Sequence, residues 1–83
     1  MINDLKFKTD LVSFLTNEFG FANVTIDSRK DYIHLRVGLY YDEIKPEELK
    51  LIKTRFNVRV LEVMIDDSDC GLLYWYKIKK GEK

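Results

Sequence analysis

Leu72-Leu73-Tyr74-Trp75-Tyr76-Lys77-Ile78-Lys79 is the stretch that decides how the chain folds. Its aromatic and branched aliphatic residues favour a strand, and no glycine or proline interrupts it. Successive side chains of a strand point to opposite faces. Leu72, Tyr74, Tyr76 and Ile78 therefore share one face, and Leu73, Trp75, Lys77 and Lys79 the other. Bulky groups on both faces mark a central strand, with a core on one side and a working surface on the other. The even-numbered set is the more continuous apolar lining, so it is assigned to the core and Trp75 to the exterior. A slip of one residue would exchange the two sets.

The elements before this strand follow from local signals. The polar run Asp66–Asp69, closed by Gly71, reads as a turn that joins it to a strand at Val58–Ile65. Pro46 opens a helix at its first position, where the missing N–H costs nothing. Ile44 and Leu49 are spaced as a staple across that start. Glu47 and Glu48 sit near the positive end, and Lys50, Lys53 and Arg55 further along, in agreement with the helix dipole. Leu49, Ile52 and Phe56 form its buried stripe, with Leu51 off it. Tyr41–Lys45 is a loop. Tyr32–Tyr40 alternates cleanly, with Ile33, Leu35, Val37 and Leu39 on an apolar face and Tyr32, His34, Arg36, Gly38 and Tyr40 opposite.

A turn at Asp27–Lys30 links that strand to a short one at Val24–Ile26. Leu11, Val12, Phe14, Leu15 and Phe19 define a helix over Asp10–Phe19, and Gly20 is placed for a left-handed cap. If the helix reaches back to Asp4, Lys8 falls near its apolar face and must extend its charge to water. Lys80–Lys83 reads as a frayed tail.

The order α-β-β-α-β-β predicts an α+β fold with two helices on one face of a four-stranded antiparallel sheet. A right-handed crossover through the second helix leaves a gap beside the second strand, which the aromatic strand fills. The resulting order, 1-2-4-3, is like a circularly permuted ferredoxin-like split βαβ sheet. Tyr32–Tyr40 and Leu72–Lys79 are then the central strands.

Eighty-three residues make a single domain, 1–83, close to the size at which one core just suffices. Lys plus Arg and Asp plus Glu are both 14, so no net field draws in nucleic acid. Cys70 has no second cysteine to pair with, which suits a reducing compartment. No apolar run approaches the roughly 20 residues that span a bilayer. The N-terminus lacks the basic-then-apolar layout of a secretory signal. A cytoplasmic chain with no membrane partner is expected.

No catalytic constellation is legible, and no cofactor or metal is expected. His34 lacks a second histidine or a positioned nucleophile, so it is read as a surface residue and the chain as no enzyme. Asp69 beside Cys70 disfavours a reactive thiolate, so Cys70 is read as a turn residue rather than a nucleophile. Asp66–Gly71 fails as a calcium loop, because the phase that puts Gly71 at position six puts Cys70 at five and Lys77 at twelve.

The candidate site is a partner-binding face of Tyr32, His34, Arg36, Tyr40, Trp75, Lys77 and Lys79. Tyr, Trp and Arg are enriched at interface centres because they bury large areas with little rotamer loss. For any single ring the plainer role is to finish a small core with its polar tip wet. The expected function is a non-catalytic protein-binding module, a small accessory or inhibitor protein of phage or mobile-element type. A second copy of the chain is an admissible partner. Single-stranded RNA or DNA on the same face ranks second, marked down by the neutral charge.

Overall fold

The computed structural model describes residues 4–80. Its elements run α1 (Asp4–Phe19), β1 (Thr25–Ser28), β2 (Tyr32–Arg36), α2 (Pro46–Phe56), β3 (Arg59–Ser68) and β4 (Gly71–Lys79). The sheet is antiparallel in the order β1-β2-β4-β3, so the chain has the expected α+β architecture with β2 and β4 in the middle. Ferredoxin-like is a loose description of it.

The core lies between the helices and one face of the sheet. Phe7, Leu11 and Leu15 of α1 and Ile52 of α2 join Ile33, Leu35, Tyr76 and Ile78 in one buried cluster. The assignment of Tyr76 and Ile78 to the core side thus agrees with the structure. All five phenylalanines of the sequence form an edge-to-face chain between the helices. Phe7 and Phe14 each meet Phe56, at 6.0 and 5.5 Å, while Phe14 meets Phe19 and Phe19 meets Phe21.

Helix α1 begins before Asp10 because Phe7, one turn below Leu11, still has core to bury. Lys8 is half-buried on its flank, and Val12, expected on the buried face, is exposed at the edge of the stripe. Gly20, at φ +76°, ends the helix by donating to Thr16, and the Phe21 N–H reaches back to the Leu15 carbonyl. The tail read at 80–83 lies outside the described residues except for Lys80, which is held rather than frayed. Its N–H donates to Asp31 and its Nζ to the Arg29 carbonyl.

Three boundaries differ from the sequence reading. Strand β1 runs to Ser28, so the first turn is Arg29–Asp31, closed by Arg29 N–H on the Tyr32 carbonyl at 2.8 Å. Strand β2 stops at Arg36 instead of Tyr40, because Gly38 and Tyr41 take left-handed φ of +62° and +66°. The Asp42 carboxylate fixes this bend by accepting from the Leu39 N–H at 2.7 Å, which leaves Leu39 exposed. The Tyr41 N–H then donates to the Leu72 carbonyl, so the chain still runs beside β4.

Strand β3 extends to Ser68, and the hairpin turn shrinks to Asp69-Cys70. The Ser68 hydroxyl donates to the Gly71 carbonyl across it. Gly71, at φ +147°, is buried, and a Cβ there would stand 2.6 Å from Tyr41 Cε2 and 2.9 Å from Tyr40 Cβ. A bulge between Val60 and Glu62 shifts the phase of β3. Val60 before it and Val63 and Ile65 after it pair with Ile78, Tyr76 and Tyr74, all on the helix side.

Tyr76 is only 2% exposed, and its hydroxyl accepts the buried Ile44 N–H at 2.7 Å, just before α2. Tyr76→Phe keeps the ring but strands that N–H, and should cost about 1–3 kcal/mol in urea unfolding followed by circular dichroism. Burial holds the Tyr76 phenol above the ordinary value of 10.0, with the Ile44 hydrogen bond acting the other way. Above about pH 10 the unfolded chain therefore ionises first, and stability falls as pH rises towards the folded pKa. Tyr76→Phe should flatten this alkaline loss. Equal slopes in the two proteins would contradict the assignment.

Candidate functional site

The sheet face opposite the helices is built by the alternation of β2 and β4. Tyr32, His34 and Arg36 project from β2, and Leu73, Trp75, Lys77 and Lys79 from β4, all of them half-buried. The register lays them in rows. Asp27, His34, Lys77 and Glu62 cross all four strands, and Tyr32, Lys79 and Arg59 form the row beside them. Thr25 stands opposite Arg36, and Met64 opposite Trp75.

Six of the seven residues expected from the sequence thus share one face. Tyr40 does not belong to the strand; it reaches the end of the face from the turn after β2, with its hydroxyl beside Cys70. A hydrogen bond with Cys70 holds its phenol above the usual range, and Arg36 is near enough to pull it the other way. Met64, Glu62 and Asp66 also line the face but were not expected there. The signal for them is the break in alternation at Leu61-Glu62, where the bulge reverses which residues point outward.

The outward rings are covered in part by the cations of the same face. The Arg36 guanidinium lies 5.2 Å from the Trp75 ring centroid, and Lys77 Nζ lies 4.4 Å from that of Tyr32. Tyr32 also contacts the His34 ring at 5.2 Å. Arg36 is held by stacking more than by hydrogen bonds. Its Nη2 is 3.5 Å from Thr25 Oγ1, and its buried Nε has no hydrogen-bond partner among the described residues. Each such cation–ring contact is worth about 0.5–1 kcal/mol at an exposed site.

Charge is arranged in bands. Arg36, Lys77 and Lys79 lie on the two central strands, while the margins are mixed in charge: Asp27 on β1 pairs with Arg29 at 2.8 Å, and Glu62 and Asp66 share β3 with Arg59. The neutral total of the sequence therefore conceals a basic centre with edges of mixed charge. Chemically, the face offers stacking area and charged donors. Among the described residues, no group of three or more His, Cys, Asp or Glu is placed to hold a metal ion, and no helix is long and apolar enough to cross a membrane.

Trp75 is the only tryptophan, so its fluorescence reports this face. Arg36→Ala should uncover the ring and raise acrylamide quenching, while lowering stability by no more than about 1 kcal/mol. Unchanged quenching would show that the guanidinium does not shield the ring.

Comparison with protein-family models, with curated proteins and with solved structures returned no match for this chain.

Proposed function

We propose that the chain is a non-catalytic binding module that takes another protein on the outer face of its sheet. It would act as a small accessory or inhibitor protein of phage or mobile-element type, in the cytoplasm, where the exposed Cys70 thiol stays reduced. The observation that supports this reading is the gathering of Tyr32, His34, Arg36, Trp75 and Lys77 on neighbouring central strands. Rings and guanidinium groups of this kind anchor interfaces because they lose little rotamer freedom on burial.

The charge bands favour a partner that sets carboxylates against Arg36 and Lys77 and apolar groups against Trp75 and Met64. A single-stranded nucleic acid is the alternative, supported by cations placed beside exposed rings. A phosphate backbone lying across the strands would have to cross the acidic residues Asp27 and Glu62 at the margins.

The test is affinity capture by the immobilised chain from lysate with and without nuclease treatment, followed by mass spectrometry. A discrete protein should be retained, and Trp75→Ala should weaken its binding by about 2 kcal/mol or more, roughly thirty-fold in Kd. The variant must keep the circular dichroism of the parent. Material that nuclease removes, with a steep salt dependence, would favour the alternative. A retained protein indifferent to both Trp75→Ala and Tyr32→Ala would place its site elsewhere.

A further inference from the structure

Strand β3 pairs with β4 on one side and, among the described residues, carries no strand on the other. It is 10 residues long, well beyond the usual five or six. Long edge strands are normally guarded by proline, lysine or inward charge, since their free N–H and C=O groups recruit other chains. Here the middle of the edge is apolar, with Leu61, Val63 and Ile65 exposed to 42%, 47% and 58%.

The exposure has a geometric cause. A strand of 10 residues runs about 33 Å, whereas the 11 residues of α2 rise only about 16 Å. The helices roof the sheet over Tyr76 and Ile78, and Tyr40 and Tyr41 lie against Gly71 at the far end. Val63 and Ile65 point to the helix side but stay exposed on the outer edge of that layer.

We propose that this edge takes a second copy of the chain, β3 against β3, antiparallel about a two-fold axis through Val63, making one continuous eight-stranded sheet. Residues directly opposed in an antiparallel pair must lie on the same face, and the proposed register satisfies this along its length. Val63 meets its own copy on the helix side, and Glu62 meets Met64 on the outer side. Leu61 is the extra residue of the bulge; skipping it brings Val60 opposite Ile65 and Arg59 opposite Asp66. Val60 and Ile65 both belong to the helix side, and Arg59 and Asp66 both to the outer side.

Charge selects this register over its neighbours. Centring on Glu62 sets that carboxylate against itself. Centring on Met64 sets Glu62 against Asp66 twice. Centring on Ile65 puts Val63 opposite Asp67 and leaves Arg59 with no acidic partner. The Val63 register opposes no like charges and forms the Arg59–Asp66 pair twice. A parallel, in-register pairing would instead lay Asp66 and Asp67 beside their own copies. The edge is thus complementary to itself in one orientation, which singles out a second copy over an unrelated strand.

Sedimentation equilibrium should find a dimer that Val63→Lys converts to monomer with unchanged circular dichroism at 25 °C, its melting temperature falling to that of the parent at dilutions where the parent is monomeric. Arg59→Asp and Asp66→Arg should each weaken dimerisation at least tenfold, and the two together should restore it. With Cys70→Ser as background, Val63→Cys should cross-link on mild oxidation. Opposed Cα atoms in such a pair lie about 4.5–5.5 Å apart, within disulfide reach. Leu51→Cys, exposed on α2, should not cross-link. A chain that stays monomeric at millimolar concentration would overturn the proposal. So would failure of the charge swap to rescue, or a dimer that Trp75→Ala dissolves and Val63→Lys does not, since the copies would then meet through the outer face.

Discussion

The position of α2 rests on one hydroxyl. Tyr76 stands in the middle of the sheet with its ring buried, and its oxygen takes the Ile44 N–H at 2.7 Å while lying 3.4 Å from the Ile44 carbonyl. The hydroxyl can thus serve both backbone polar groups of the buried Ile44. With Ile44 held, the next steps are local: the Lys45 N–H finds the Glu48 carboxylate at 2.9 Å, Pro46 starts the helix, and Ile52 arrives over the sheet. A residue near the end of the chain thereby sets a helix that begins thirty positions earlier. Phenylalanine at this place would fill the same space and leave the loop without its anchor.

How much of this was legible depends on which physical signal each residue carried. Strand order followed from alternation and crossover handedness, both strong in Tyr32–Arg36 and Leu72–Lys79. The end of β2 was invisible, because Leu39 and Tyr40 are good strand residues and the bend is imposed from outside. It arises when the Asp42 carboxylate captures the Leu39 N–H and Gly38 turns left-handed. The length of β3 was hidden for the opposite reason. Asp66 and Asp67 look like turn residues, but an edge strand beyond the helices needs no apolar side chains to be stable. The outer face was readable as far as parity carried it, through His34 and Trp75, and unreadable past Leu61, where a bulge reverses parity.

Both candidate surfaces trace to a mismatch between layers. The sheet has two faces and a long hairpin, whereas the helices cover only one face and leave the outer edge of β3 exposed. Rings and cations collect on the face with no helices, where Arg36 and Lys77 shelter Trp75 and Tyr32 from water. Branched aliphatics collect on the outer edge of the sheet, where Leu61, Val63 and Ile65 of β3 are exposed. The two surfaces differ in character for that reason: one is amphipathic and half-screened, the other simply greasy and linear.

The strand order also dictates when the protein can fold during its synthesis. β4 is translated after every other element described, yet it belongs between β2 and β3. Until Ile78 leaves the ribosome, the floor on which both helices rest lacks one of its two central strands, and β2 and β3 have no common neighbour. Ile33 and Leu35 keep one side of β2 unpaired until then, and the sheet closes around the last-made of the described strands.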